Sequence, residues 1–196
     1  MRSSLLKEIK KEVLNLKKSP LYAERIKNNY FPVIGEGSHN AKIVLIGEAP
    51  GRSEAKTGRP FCGSAGKVLD ICLEHISLER KDVYITNILK DRPPQNRDPN
   101  SEEIKIYAPF LDRQIDIIKP KVIVTLGRFS AEYILGKFDI ICIVNKITAL
   151  HGKSFRVKLK GEKITVVTLL HPAVAVYNPH KIALLKEGFC SLKKNI

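Results

Sequence analysis

Three short apolar runs, each closed by a Gly or Asn and each followed by helical periodicity, limit the architectures open to this chain. They are Lys42–Gly47 (KIVLIG), Val83–Asn87 (VYITN) and Val122–Leu126 (VIVTL) with Gly127 after it. Their length and β-branched content read as buried strands. Between and after them lie helical patterns. Ser64–Ile76 puts Val68, Leu69, Cys72 and Ile76 on one face. Ser101, with Glu102 and Glu103, opens a helix to about Ile118 that Pro120 stops. Further helices are expected from about Ser130 and from about Pro179 to Leu192, and Phe155–Leu159 and Ile164–Leu170 flank Lys160-Gly161-Glu162 as a hairpin. This alternation predicts an α/β three-layer sandwich with a central, mostly parallel four-stranded sheet flanked by helices. The 196 residues suit a single domain, with an N-terminal helix at about 3–18 packed on it.

In such sheets ligands bind beyond the carboxyl ends of the strands. Those ends carry Gly47-Glu48-Ala49-Pro50-Gly51, Asn87, Gly127-Arg128 and His171-Pro172. Topology alone therefore predicts a site built from Glu48, Asn87 and His171. The Gly/Pro-punctuated loop after the first strand can hold an anion on backbone N–H groups, but it lacks the Gly-Lys-Ser/Thr ending of a P-loop.

The formal net charge is +14, from 34 Lys and Arg against 20 Asp and Glu, which favours a polyanionic partner such as nucleic acid. The opening MRSSLLKEIKKEVLNLKK mixes Leu and Ile with Lys and Glu and does not read as an export signal or transit peptide. No apolar run reaches the length of a membrane span. The expected location is cytoplasmic, associated with the nucleoid. Cys62, Cys72, Cys142 and Cys190 are scattered, form no C-x-x-C pair, and are expected to be reduced thiols.

Five ordered motifs go further: GEAPG; TGRPF followed by G-x-A-G-x-x-L-D; TN followed by RPP-x-NRDP; PK-x-IV-x-LG; and HPA with a later NP. Together, from about Ser19 to the final helix, they resemble the thermostable class (family four) of uracil-DNA glycosylases. The resemblance implies that a flipped uracil, unreachable inside the duplex, stacks on Phe61 beside Ala49. It implies that Asn87 reads the amide edge with one donor and one acceptor. His171 would donate to O2, where negative charge develops as the glycosidic bond lengthens. Glu48 would position or activate water and support the cationic sugar. Ser64, Gly66, Arg92, Asn96, Arg97 and Arg128 are candidate phosphate contacts. The loop Ala173–Asn178, with Val174, Val176 and Tyr177, would enter the minor groove as an apolar wedge, although this chain has Val-Ala-Val-Tyr where the family often has Leu-Leu-Arg. The expected partner is uracil-containing DNA, single- or double-stranded, bound by a monomer.

The resemblance also implies a four-iron cluster on four cysteines, and here the chain departs from it. The matching positions are Leu16, Ser19, Asp91 and Tyr107, none of them a thiol. No cluster is expected, and packing around Leu16 and Tyr107 is expected to replace it as the staple of the N-terminal segment. The leading reading is a monofunctional glycosylase, since no lysine nucleophile for a lyase step stands out. A catalytically silent DNA-binding paralogue is the alternative. A third possibility, an enzyme that bonds covalently to the abasic sugar, would need a His in the 91–100 loop, which has none.

Overall fold

A computed structural model describes residues 1–140 and 147–194, so Cys142 lies outside the described residues. The strands are β1 (Glu36–Gly37), β2 (Ile43–Gly47), β3 (Tyr84–Asn87), β4 (Val122–Leu126), β5 (Lys153–Leu159) and β6 (Glu162–Leu169). The helices are α1 (Arg2–Leu14), α2 (Tyr22–Lys27), α3 (Arg52–Thr57), α4 (Ser64–His75), α5 (Ser101–Ile118), α6 (Arg128–Lys137), α7 (Ala173–Tyr177) and α8 (Lys181–Lys193).

The sheet order is β1-β3-β2-β4-β6-β5. The inner four strands are parallel, and an antiparallel strand lies at each edge. The sheet therefore has six strands where four were expected. The extra width comes from β5, which folds back on β6, and from β1, whose two residues pair only Glu36 with Ile85 and Gly37 with Tyr84. The β5–β6 connection turns through Lys160 (φ 50°) and Gly161 (φ 88°), the positive-φ pair that a tight hairpin matched to strand twist requires.

Side chains alternate across the strands and build two cores. Val44, Ile46, Tyr84, Ile123 and Val166 face α1, α5 and α6. Ile43, Leu45, Ile85, Val124, Val167 and Leu169 face α4 and α8. Helix boundaries follow local chemistry. Asn100, rather than Ser101, caps α5: its side chain accepts from the Glu103 N–H at 2.8 Å, and Glu103 accepts from the Asn100 N–H at 3.0 Å. Helix α6 begins at Arg128, two residues earlier than expected, and α8 begins at Lys181. The N-terminal segment divides into α1 and α2, and α3 and α7 form where Gly- and Pro-bearing loops were expected.

The N-terminal segment is held by a buried polar network. The Tyr107 hydroxyl donates to Asp91 Oδ2 at 2.6 Å, and Ser19 Oγ lies 2.7 Å from the same hydroxyl. Arg25 Nη1 donates to both Asp91 carboxylate oxygens (3.2 and 3.1 Å) and to the Val13 carbonyl at 2.9 Å, while Nη2 reaches the Leu14 carbonyl at 2.6 Å. Burial pushes the Asp91 carboxyl above the ordinary range, against the lowering pull of Tyr107 and Arg25. Three of the four positions where the resemblance places cluster ligands thus meet as Ser, Asp and Tyr, and Leu16 is buried in the neighbouring core. The staple is hydrogen-bonded and ionic rather than apolar packing alone.

Asp91→Ala leaves Arg25 buried and unpaired, and is expected to lower the unfolding free energy by roughly 3–5 kcal/mol. Tyr107→Phe is expected to cost about 1–3 kcal/mol. Replacing Arg25 and Asp91 together by Met and Leu should recover most of the larger loss. Urea titration of the variants tests this; an Asp91→Ala loss below about 1 kcal/mol would show that the network does not hold the segment.

Candidate functional site

The carboxyl ends of β2, β3 and β6 meet at a cleft of about 480 Å³. Its lining includes Glu48, Ala49, Phe61, Ser64, Asn87, Asn96, His171, Val176 and Tyr177, so nine of the residues expected from sequence come together.

Gly47, the last residue of β2, makes the cleft possible. A Cβ there would collide with the Asn87 side-chain oxygen and come within 2.7 Å of Phe61 Cζ. The bare backbone lets Asn87 and Phe61 lie over the strand end. Asn87 is only 2% exposed, yet among the described residues its amide has no hydrogen-bond partner and it lines the cleft. An amide open to the cleft and without a protein partner is free to pair with a ligand of matching donor and acceptor.

Lys90 fixes the backbone beneath that amide. It is fully buried, and its Nζ donates to the Asn87 carbonyl at 2.6 Å, to Thr86 Oγ1 at 2.9 Å and to Gln114 Oε1 at 2.6 Å. With neutral acceptors only, burial drives its pKa down to about 7. Nothing in the sequence marks this lysine, which opens the polar, Pro-rich stretch from Lys90 to Asn100.

Phe61 serves both the core and the cleft wall. It packs in the second core and is 5% exposed, and its ring stacks on His171 with centroids 5.6 Å apart at 30°. Its backbone is left-handed (φ 48°), an unusual state for a bulky residue. Arg80 holds that conformation. Its guanidinium donates to the Phe61 carbonyl, to the Pro60 carbonyl at 3.1 Å and to Asp70 at 2.6 Å. Gly66 belongs to the same arrangement. A Cβ there would strike the Phe61 carbonyl, so this buried glycine is what lets α4 start against that turn.

His171 follows β6 and leans on Gly127, where a Cβ would come within 3.1 Å of the His171 Cβ. The Ala173 N–H donates to Nδ1 at 3.1 Å, which makes Nδ1 the acceptor. Burial lowers the ring's pKa to about 4, with Glu54 pulling weakly the other way. The imidazole is therefore neutral near pH 7, with its proton on Nε2. Glu48 responds oppositely to the same burial. Its pKa rises to about 7, Asp98 adding to the rise and Arg128 opposing it.

Glu54, on α3, also lines the cleft and was not anticipated from sequence. Glu54 Oε1 accepts from the N–H groups of Cys62 (3.0 Å) and Gly63 (2.9 Å) at the start of α4. The sequence signal for it was an acidic residue between two Gly-rich motifs, hidden because α3 was not anticipated.

The other expected DNA contacts are distributed differently. Arg92 stacks over Tyr30 (5.6 Å) and donates to Asn96 at 2.7 Å, which places it beside the cleft rather than in it. Arg97 is committed to Glu103 through two nitrogens at 2.9 and 2.6 Å, holding a fully buried carboxylate, and is not a free phosphate ligand. Arg128 pairs loosely with Asp98 at 3.3 Å and remains half exposed. On α7, Val174 packs into the second core, while Val176 and Tyr177 project, Tyr177 with 88% exposure. The wedge candidates thus narrow to Val176 and Tyr177.

A four-iron cluster does not fit the residues at Leu16, Ser19, Asp91 and Tyr107. They offer no thiolate, and their hydroxyl and carboxylate oxygens are already paired with one another and with Arg25. Among the described residues no group of three or more His, Cys, Asp or Glu is placed to hold a metal ion.

Comparison with known proteins agrees with this geometry. Residues 34–193 match the family described as the Uracil DNA glycosylase superfamily. A Type-4 uracil-DNA glycosylase of Sulfurisphaera tokodaii is 47% identical over 190 residues, covering 96% of this chain and 84% of that protein. One from Archaeoglobus fulgidus is 45% identical over 191 residues (97% and 91%), and one from Thermotoga maritima 37% over 177 residues (90% and 86%). The cleft, the sheet that builds it and these similarities lead to one assignment: the chain belongs to the uracil DNA glycosylase superfamily.

Proposed function

We propose that the protein excises uracil from DNA by hydrolysing the N-glycosidic bond of deoxyuridine, leaving an abasic site. The observation that carries this reading is the unpaired Asn87 amide in a cleft walled by Phe61 and by a neutral His171. A uracil turned out of the helix stacks on the Phe61 face. Asn87 accepts from its N3–H and donates to O4, a pattern that cytosine does not offer. As the bond from N1 to C1′ lengthens, the electron pair moves onto the base. The Nε2–H of His171 then donates to O2, where the charge gathers. A neutral donor suffices, since the base departs as an anion and no proton need pass to it at that moment. Water attacks C1′ of the cationic sugar, and the Glu48 carboxylate orients that water and accepts its proton.

The enzyme is monofunctional on this reading, because the buried Lys90 is engaged with Thr86, Asn87 and Gln114 and cannot reach a sugar as a nucleophile. It acts as a monomer on single- or double-stranded DNA, with Tyr177 and Val176 entering where the base has left. No helix among the described residues is long and apolar enough to cross a membrane.

Cleavage of uracil-containing oligonucleotides, with alkali to break the abasic product, tests the reading. His171→Ala should slow excision about 10²- to 10³-fold. Asn87→Asp should lose uracil preference, since a carboxylate cannot donate to O4. Phe61→Ala should weaken base capture by about 1–3 kcal/mol. Parent-like rates in all three folded variants would remove the pocket assignment. A parent that binds DNA and never releases uracil would favour a binding role.

The single-turnover rate should rise with pH through about 7, because Glu48 must be ionised to accept a proton and its pKa stands there. His171, already neutral above about 4, adds no limb in that range. Arg128→Ala removes a lowering influence and should move the limb to higher pH, whereas Asp98→Asn should move it lower. A flat profile between pH 5 and 9 in all three proteins would contradict the role given to Glu48.

Anaerobically purified protein is expected to be colourless and to contain no stoichiometric iron or sulfide. Elemental analysis checks this, and one cluster per chain would overturn it.

A further inference from the structure

At the sheet edge opposite the cleft, the β5–β6 hairpin gathers positive charge of its own. Its register sets Arg156 opposite Thr165 and Lys158 opposite Lys163, so these side chains share one face, and Lys121, entering β4, joins them. A second cleft of about 530 Å³ opens here, with four cations in its lining and no acid. Among the described residues, Arg156, Lys158 and Lys163 have no carboxylate within ion-pair distance. Lys121 has Glu162 at 3.6 Å in a largely exposed pair, which neutralises little.

This arrangement works against the fold's own stability. Like charges directly opposed across an antiparallel pair repel. Lysines on an edge strand can be explained as protection against edge-to-edge association, and that accounts for β5. It does not account for Lys163, on the inner strand β6, or for Lys121, which leads into another inner strand. An anion lying along the face would turn the repulsion into attraction. A two-residue step along a strand is about 7 Å, so the four cations suit a run of phosphates better than one compact ion.

The site also lies toward the amino ends of β4 and β6, whereas the cleft lies at the carboxyl ends of the parallel strands, so the two open toward opposite ends of the sheet. Six residues separate Thr165 from His171 along β6 and its exit, roughly 20 Å, about two screening lengths at physiological salt. We propose that this face is a second DNA-binding site, which holds the backbone of a segment other than the one presenting the uracil. That the polyanion is DNA rests on the glycosylase reading; that the ligand is a polyanion does not.

The test compares the parent with a triple variant, Arg156→Gln, Lys158→Gln and Lys163→Gln. None of these residues touches the catalytic cleft, and removing opposed like charges should not harm folding, which circular dichroism and urea titration check. Sedimentation of each protein with a short uracil-free duplex at low salt should give two duplexes per parent chain and one per variant chain. With a longer duplex, the slope of log affinity against log salt should flatten in the variant by about 0.9 per lost phosphate contact, roughly 2 to 3 in all. Excision from a short deoxyuridine oligonucleotide should be the same in both proteins. A parent that takes up a single duplex, or a variant that keeps both, overturns the proposal. Uptake of a single duplex together with binding of poly-glutamate lost in the variant also overturns it, assigning the face to an acidic protein segment. If neither protein excises uracil but two-duplex binding behaves as described, the catalytic reading fails and the second site stands.

Discussion

The buried contact between Arg25 and Asp91 is the constraint on which much of the molecule's order rests. Asp91 lies four residues after Asn87, in the chain that leaves the sheet beside the cleft. Through it, the N-terminal helices, the long helix α5 and this exit loop are bound to one point. Two charges taken from water attract strongly, but the gain depends on every remaining donor and acceptor being satisfied. Here they are: Tyr107, Ser19 and the carbonyls of Val13 and Leu14 complete the shell. On the opposite side of the same loop, the neighbouring Lys90 is clamped by Thr86, Gln114 and the Asn87 carbonyl. Adjacent residues of opposite charge thus serve separate networks, and the backbone between them has little freedom.

Burial governs the chemistry of the cleft with opposite signs. It raises Glu48 towards neutrality of charge near pH 7 and removes the charge from His171. The same dry wall therefore yields an acid that can act as a base at physiological pH and an imidazole that only donates. Lys90, buried among neutral acceptors, gives up its proton more readily than a surface lysine, and doing so costs one of its three donated hydrogen bonds.

The parallel strands were legible because both faces of each are covered, which leaves uninterrupted apolar runs such as KIVLIG and VIVTL. Strand ends then indicated Glu48, Asn87 and His171 without any knowledge of contacts. What stayed hidden depends on distant pairing. β1 holds two residues and has no pattern to read. Helices α3 and α7 are single turns within Gly- and Pro-bearing loops, where local propensity says little. Ser19 and Tyr107, 88 positions apart, reveal their partnership only once the chain has folded. Arg97 looked like a phosphate ligand because a loop arginine near a basic cleft usually is one; the buried Glu103 beside it was indistinguishable from an ordinary first-turn helix acid.

The left-handed backbone at Phe61 has a consequence for timing. A residue held in such a conformation costs of order 1–3 kcal/mol, and Arg80, bridging two carbonyls and Asp70, meets that cost while the chain folds. The Phe61 ring is consequently held in place before any ligand arrives. On the proposed reading, a base that leaves the helix for a moment meets a finished surface, and the lifetime of its excursion need only exceed the time of contact, not the time a loop would take to assemble.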